Sequence, residues 1–111
     1  MREKKSYVAI NNITCEPSYV ERMEHLFKTR AKAIEKMPGF QHVEILRPAD
    51  PDQPYLVISH WDSPDAFDGW TKSEAFKEGH ARAFKDMDQA KKEGKKCPMM
   101  STFGKYEVIG N

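Results

Sequence analysis

Residues 55–64 spell Y-L-V-I-S-H-W-D-S-P, and the chain changes from strand to helix within this segment. The first seven positions are rich in β-branched and aromatic side chains, which predicts the central strand of a sheet. A serine followed directly by Pro64 is typical of the first turn of a helix. Strict alternation places His60 and Trp61 on opposite faces of the strand, and we assign Trp61 to the core.

Before this segment the sequence predicts a strand, a helix and a second strand. Tyr7–Cys15 has strand composition. Ser18–Met37 has an apolar stripe at helical spacing, and its first residue is a serine with a glutamate three positions later, the spacing of a capping box. Pro38 and Gly39 end this predicted helix. Phe40–Arg47 alternates as a strand does, with one irregularity.

After the central strand the pattern predicts a helix in two pieces and a final strand. The first piece carries Phe67 and Trp70 and breaks at Thr71–Ser73, where the serine caps the second piece. Residues 85–100 lack apolar periodicity and are rich in Lys, Asp and Gly. We therefore expect the helix to end there and a flexible loop to follow, in the position of a lid. Ser101–Ile109 predicts the last strand.

The predicted elements follow the order βαββαβ, which is that of the ferredoxin-like fold. We expect residues 1–111 to form one α+β domain with a four-stranded antiparallel sheet and helices on one face only. The second face needs cover, and a second copy of the chain supplies it most simply. We therefore predict a homodimer whose two sheets pack together or close into a β-barrel, with His60 at the dimer face.

Composition and charge narrow the classes of function. The chain is 39% hydrophobic and 32% charged, which is typical of a soluble globular domain. A net charge of +1 without a basic stripe argues against nucleic-acid binding. No apolar run approaches the ~20 residues that span a bilayer, and Met1–Lys5 lacks the apolar core of a signal peptide. Two cysteines without a C-x-x-C motif favour a reduced, cytoplasmic setting.

Among the four histidines, His80 is the strongest candidate for chemistry. Residues 70–80 are W-T-K-S-E-A-F-K-E-G-H, and a helix from residue 73 places Phe76, Gly79 and His80 on one face. A glycine inside a helix costs about 1 kcal/mol relative to alanine, and its missing side chain leaves room for a flat molecule. A neutral imidazole is a good iron ligand, and haem fits such a face. A plain packing face, with Trp70 as a core aromatic, explains the same pattern.

The remaining polar candidates also allow two interpretations. Asparagine is poor in strands, and alternation sends Asn11 and Asn12 to opposite faces. The asparagine on the inner face marks either a bulge or edge, or an amide aimed into a cavity. Arg30 is either a solvated cation or part of an anion site. None of the histidines has H-x-x-H or H-x-x-x-H spacing and no Cys/His cluster exists, so we do not expect a protein-only zinc site.

Four segments carry a family resemblance. They are I-N-N-I-T around Asn11, M-P-G-F-Q at residues 37–41, S-H-W-D-S-P-D-A-F at residues 59–67, and the segment at residues 70–80. On these segments the chain resembles the Isd-type haem-degrading monooxygenases, which belong to the antibiotic-biosynthesis-monooxygenase-like group of dimeric ferredoxin-like proteins. The resemblance covers about residues 7–84 and the last strand.

The resemblance implies roles for individual residues. It implies that His80 is the axial ligand to haem iron, and that Trp70 packs on the porphyrin and forces it out of planarity. It implies that the amide of Asn11 hydrogen-bonds the dioxygen species on the distal side of the haem. It also implies that Arg30 meets a haem propionate. The residues implied in haem binding are Asn11, Phe27, Arg30, Trp70, Phe76, Gly79 and His80.

The activity implied by the resemblance is that of a haem oxygenase. Haem is then both substrate and cofactor, and dioxygen with electrons from a reductase or a small reductant opens the ring and releases iron. Two alternatives remain open. A cofactor-free monooxygenase of the same fold acts on a polycyclic aromatic substrate and binds no haem. A non-enzymatic haem-binding protein binds haem and leaves it intact.

Overall fold

Four antiparallel strands form a single sheet with the order β2-β3-β1-β4 in a computed structural model, which describes residues 6–110. The order of elements and of strands is the predicted ferredoxin-like one. Residues 1–5, where we found no signal-peptide pattern, lie outside the described residues. The strands are β1 (Tyr7–Cys15), β2 (Phe40–Leu46), β3 (Tyr55–Trp61) and β4 (Met99–Glu107). The α-helices are α1 (Val20–Lys28), α2 (Pro64–Thr71) and α3 (Glu74–Lys92).

The core lies between the helices and one face of the sheet. Trp61 is 0% exposed, which confirms its assignment to the core. It packs with Ala9 of β1 and with Phe67 and Trp70 of α2. A second cluster holds α1 on the same face of the sheet. It consists of Ile13, Met23 and Tyr55.

The two-piece helix is confirmed together with both of its caps. The hydroxyl of Ser63 accepts a hydrogen bond from the backbone N–H of Ala66 at 3.1 Å. The hydroxyl of Ser73 accepts one from the backbone N–H of Phe76 at 3.0 Å. These bonds satisfy N–H groups that have no acceptor within their own helices. The cap at Ser73 fixes the direction of α3, and thereby of His80.

The helix predicted for Ser18–Met37 is wrong at both ends. Ser18 lies in a 3-10 turn and makes no capping bond, and α1 ends at Lys28. The hydroxyl of Thr29 donates to the His25 carbonyl at 2.7 Å, and Arg30 Nη1 donates to the Phe27 carbonyl at 2.9 Å. Side chains that bond the last carbonyls compete with continuation of the helix. The chain then turns through a left-handed Lys32, with φ of 57°.

The loop predicted for residues 85–100 is also too long, because α3 continues to Lys92. This half of the helix is held against the rest of the fold by polar contacts rather than by an apolar stripe. Asp86 accepts hydrogen bonds from Tyr19 at 2.6 Å and from Arg22 at 2.9 Å. The non-helical connection to β4 is therefore only residues 93–98. Among residues 6–110, no helix combines the length and the apolar character that crossing a bilayer requires.

Candidate active site

A cavity of about 220 Å³ lies between the sheet and helices α1 and α3. Most of its wall is apolar, with aliphatic side chains from the sheet and aromatic side chains from the helices. Sites for small molecules in proteins commonly have this form, an apolar hollow with a few polar groups. The cavity brings together all seven site residues predicted above: Asn11, Phe27, Arg30, Trp70, Phe76, Gly79 and His80.

A backbone hydrogen bond fixes the orientation of the His80 ring. Its Nδ1 lies 2.7 Å from the carbonyl oxygen of Phe76, one helical turn earlier. A carbonyl only accepts, so Nδ1 donates, and in the neutral tautomer that this bond selects the lone pair lies on Nε2. The ring stacks on Phe76 with 4.1 Å between centroids, and its centroid lies 5.7 Å from that of Phe84. Nε2 is therefore a positioned acceptor, suited to a metal ion.

Trp70 belongs to the core and also borders the cavity. It is only 8% exposed, and it contacts Phe76 edge to face at a centroid distance of 5.3 Å. Its centroid lies 6.4 Å from that of His80. The core interpretation of Trp70 is thus confirmed. The indole also lies beside the helix face that carries the histidine.

Open space lies beside Gly79. A Cβ atom built at this position meets no neighbouring atom within 4 Å. Packing within the described part of the chain therefore gives no reason for a glycine here, although it costs about 1 kcal/mol relative to alanine. Gly79 is an exposed residue that lines the cavity next to His80.

Asn11 presents a buried side-chain oxygen that, among residues 6–110, has no hydrogen-bond partner. It lies on β1 between Val57 and Phe103, and the register of β1 is unbroken on both sides. The bulge or edge interpretation is therefore wrong. Its Oδ1 is buried and, among residues 6–110, unpaired. A buried polar atom without a hydrogen-bond partner lowers the free energy of unfolding by about 1–3 kcal/mol. Asn12 points to the other face, where its amide donates to the Thr102 carbonyl at 3.5 Å.

Three cations and no carboxylates lie among the described residues that line the cavity. They are Arg30, Lys32 and Arg82. Arg30 and Arg82 donate to the backbone carbonyls of Phe27 and Leu26 at 2.9 and 3.3 Å. None of the three forms a salt bridge within residues 6–110. Lys32 and Arg82 are exposed, so positive charge lies on the solvent side of an apolar cavity.

The sequence prediction lacks many of the lining residues, among them Phe84, Arg82 and Phe103. Phe84 lies four residues after His80 and so shares its helix face, a signal that extending the pattern by one turn reveals. Arg82 has no such pattern. Phe103 reaches the cavity because β4 pairs it with Asn11. Phe84 and Phe103 are 54% and 51% exposed, so both rings lie where the cavity meets solvent.

Comparison with known proteins gives the family of the chain. The profile of the antibiotic biosynthesis monooxygenase family matches residues 6–82. A haem oxygenase (staphylobilin-producing) of Staphylococcus saprophyticus is 43% identical over 77 residues, which is 67% of this chain and 72% of that protein. A haem oxygenase (mycobilin-producing) of Mycobacterium tuberculosis is 37% identical over 68 residues, which is 61% of this chain and 65% of that protein.

Solved structures extend the likeness to nearly the whole chain. The haem degrader MhuD of Mycobacterium tuberculosis, solved with two haems in its active site, has a TM-score of 0.69 and 28% identity, and covers 95% of this chain and 97% of its own. A variant of SnoaB, a cofactor-independent oxygenase of Streptomyces nogalater, has a TM-score of 0.70 at 24% identity over 96% and 95%, which shows the fold alone.

These matches define the class first. The chain belongs to the antibiotic biosynthesis monooxygenase family, whose profile covers most of its length. Within that family it groups with the Isd- and MhuD-type haem-degrading monooxygenases.

Proposed function

We propose that the protein is a haem-degrading monooxygenase that binds haem through His80. One observation carries the proposal: a single apolar cavity holds His80, whose Nδ1 is bonded to the backbone, and the unpaired buried Oδ1 of Asn11. Imidazole nitrogen is a common protein ligand for haem iron. The Oδ1 atom can accept from a donor that enters with the ligand, and the NH2 group of the same amide can donate to a ligand oxygen atom.

The shape and charge of the cavity suit a haem. The open space beside Gly79 admits a flat ring next to His80, where a side chain would intrude. The cations Arg30, Lys32 and Arg82 complement two propionate groups, because arginine binds carboxylates through charge-assisted hydrogen bonds. The aromatic walls match the faces and edges of a porphyrin.

Each residue then has a definite task. When bound, haem supplies redox-active iron and is itself the molecule that is oxidised, with dioxygen and electrons from a reductase or a small reductant. His80 holds the ring at one orientation, because its bond to Phe76 fixes the imidazole. The amide of Asn11 is aimed to hydrogen-bond from the sheet side. Trp70, held by the core, presses on the ring, and the apolar lining excludes water.

The proposal includes a homodimer in a cytoplasmic setting. The sheet face opposite the helices exposes three large apolar side chains, Leu46, Met100 and Tyr106, which are 41%, 63% and 54% exposed. Apolar area of this kind favours association with a second copy. The two described cysteines, Cys15 and Cys97, are both free, which suits a reducing compartment.

A haemin titration followed by reduction in air tests the function. Haemin added to the purified chain should give a Soret band that saturates, and adding ascorbate in air should bleach it. Absence of binding contradicts haem degradation and favours the cofactor-free alternative. Stable binding without bleaching contradicts degradation and favours a haem-binding protein.

A further inference from the structure

Two histidines and a glutamate meet on the sheet face opposite the cavity. His42 of β2 pairs directly with His60 of β3, and their rings stack with 4.1 Å between centroids. Glu44 follows His42 by two residues and therefore points to the same face. One ligand atom from each of the three residues lies within 4.8 Å of the other two. Histidine spacing along the chain does not reveal this cluster, because strand pairing creates it.

A bulge in β2 puts these side chains on that face. The pairing register shifts between Phe40 and His42, so Phe40 lies opposite Trp61 and His42 lies opposite His60. In a regular strand, residues two apart share a face. The bulge lets Phe40 pack in the core while His42 points to the opposite face. Bulges redirect side chains at functional positions in many sheets.

We propose that His42, Glu44 and His60 form a binding site for a divalent transition metal. Two imidazoles and a carboxylate are a donor set for Zn²⁺, and the same set accepts Co²⁺. Three protein ligands leave the fourth position of a tetrahedral ion to water. The site lies on the sheet face through which we propose that the homodimer forms, so in the dimer it faces the second copy of the chain. The two rings are nearly parallel, at 15° between planes, so binding requires one imidazole to turn until both lone pairs converge on the ion.

The local electrostatics favour a cation at this place. The carboxylate of Glu44 supplies negative charge that offsets the charge of the ion.

This site is separate from the proposed haem site. Val43, Val57 and Ser59 line the cavity, whereas His42 and His60, their neighbours in sequence, do not. Metal binding at the opposite face therefore requires neither haem nor His80. Failure of the metal site leaves the proposed haem chemistry untouched, and the reverse also holds.

Metal titration of the haem-free full chain tests the proposal. After dialysis against a chelator, Zn²⁺ is titrated calorimetrically and Co²⁺ is followed by its visible ligand-field bands. We expect one ion per chain. His42→Ala and His60→Ala should each lower the affinity by at least about 100-fold, because losing a ligand exceeds the effect of losing a hydrogen bond to one. Glu44→Gln should weaken binding while leaving the fold unchanged, as measured by circular dichroism.

Two matched histidine variants serve as controls. His25→Ala removes an exposed histidine of α1, and His80→Ala removes the proposed haem ligand; both should bind Zn²⁺ as the parent does. No binding by the parent would overturn the proposal. So would affinity unchanged in His42→Ala and His60→Ala, or a sulfur-to-cobalt charge-transfer band, which would assign the ion to Cys15 or Cys97.

Discussion

Asn11 and His80 reach one cavity from the two layers of the fold, Asn11 from the central strand β1 and His80 from the helix α3. The Oδ1 of Asn11 is buried without a partner among residues 6–110, and the Nδ1 of His80 is bonded to the Phe76 carbonyl, which leaves Nε2 facing away from that bond. Taken alone, an unpaired buried oxygen or a backbone-bonded histidine can have a purely structural role. In the proposed function they supply two polar contacts for one flat ligand in an apolar cavity.

Replacement of His80 by alanine should remove the iron ligand. We expect the affinity for haemin to fall on the order of 100-fold and the Soret band of any remaining complex to shift. Titration of haemin into the variant measures both effects. His25→Ala, on the exposed face of α1, is the control and should bind as the parent does. Unchanged affinity and spectrum in His80→Ala would show that another residue holds the iron.

Replacement of Asn11 by alanine should separate binding from turnover. Haemin binding should persist while the bleaching rate falls by about 100-fold, the typical effect of removing one preorganised hydrogen-bond donor. The free energy of unfolding of the haem-free chain should not fall by the 1–3 kcal/mol of a broken buried hydrogen bond, since Oδ1 makes none there.

Asn12→Ala is the matched control for this variant. Asn12 is the adjacent asparagine on the opposite face of β1, bonded to the Thr102 carbonyl. Its loss should leave haemin turnover unchanged. Equal rates in Asn11→Ala and the parent would show that the amide does not act on the reaction.

Trp70 needs a conservative substitution, because it supports the core. Trp70→Ala should cost about 3–5 kcal/mol of unfolding free energy, as expected for truncating a buried aromatic side chain. Trp70→Phe retains most of the packing; it should bind haemin but bleach it more slowly, which stopped-flow absorbance measures. Phe40→Leu, a core change that does not line the cavity, should lower stability without slowing turnover. Equal slowing of haemin bleaching in Trp70→Phe and Phe40→Leu would show that the effect comes from the core alone.

The lowered pKa of Glu24 lets us predict how the free energy of unfolding changes as the pH falls. Hydrogen bonds from Arg47 and then from Tyr55 lower its pKa from an ordinary 4.5 to about 2. Because the pKa of Glu24 is lower in the folded state than in the unfolded state, its ionised carboxylate stabilises the folded protein above pH 4.5. This contribution is lost as the pH falls through about 2. Urea unfolding should therefore show that the stability difference between the parent and Glu24→Gln shrinks across this window. Arg47→Gln should show the same trend, and a pH-independent difference would contradict it.

Two of the predicted cavity residues stand out in the sequence because each is costly for packing alone. Asn11 occupies a strand position suited to an apolar side chain, and Gly79 lowers helix stability. The order of elements along the chain also follows from local patterns, since alternation and turn residues are short-range signals. Such signals place residues on faces, whereas the roles expected of the site residues come from the family resemblance.

Contacts between distant residues determine what the sequence does not predict. The end of α1 depends on Thr29 and Arg30 taking the last carbonyls. The second half of α3 depends on Asp86 meeting Tyr19 and Arg22, which no periodicity in α3 reveals. The pairing of His42 with His60 depends on a bulge whose register appears only in the sheet.

The most direct measurement is the iron released for each haem consumed. The haemin-loaded chain is mixed with ascorbate in air, and the absorbance of the Soret band is followed. Released iron is measured at the same time with a ferrous chelator. The proposed function predicts loss of the Soret band with one iron released per haem, and neither event without dioxygen. A Soret band that persists in air, with no iron released, would contradict it.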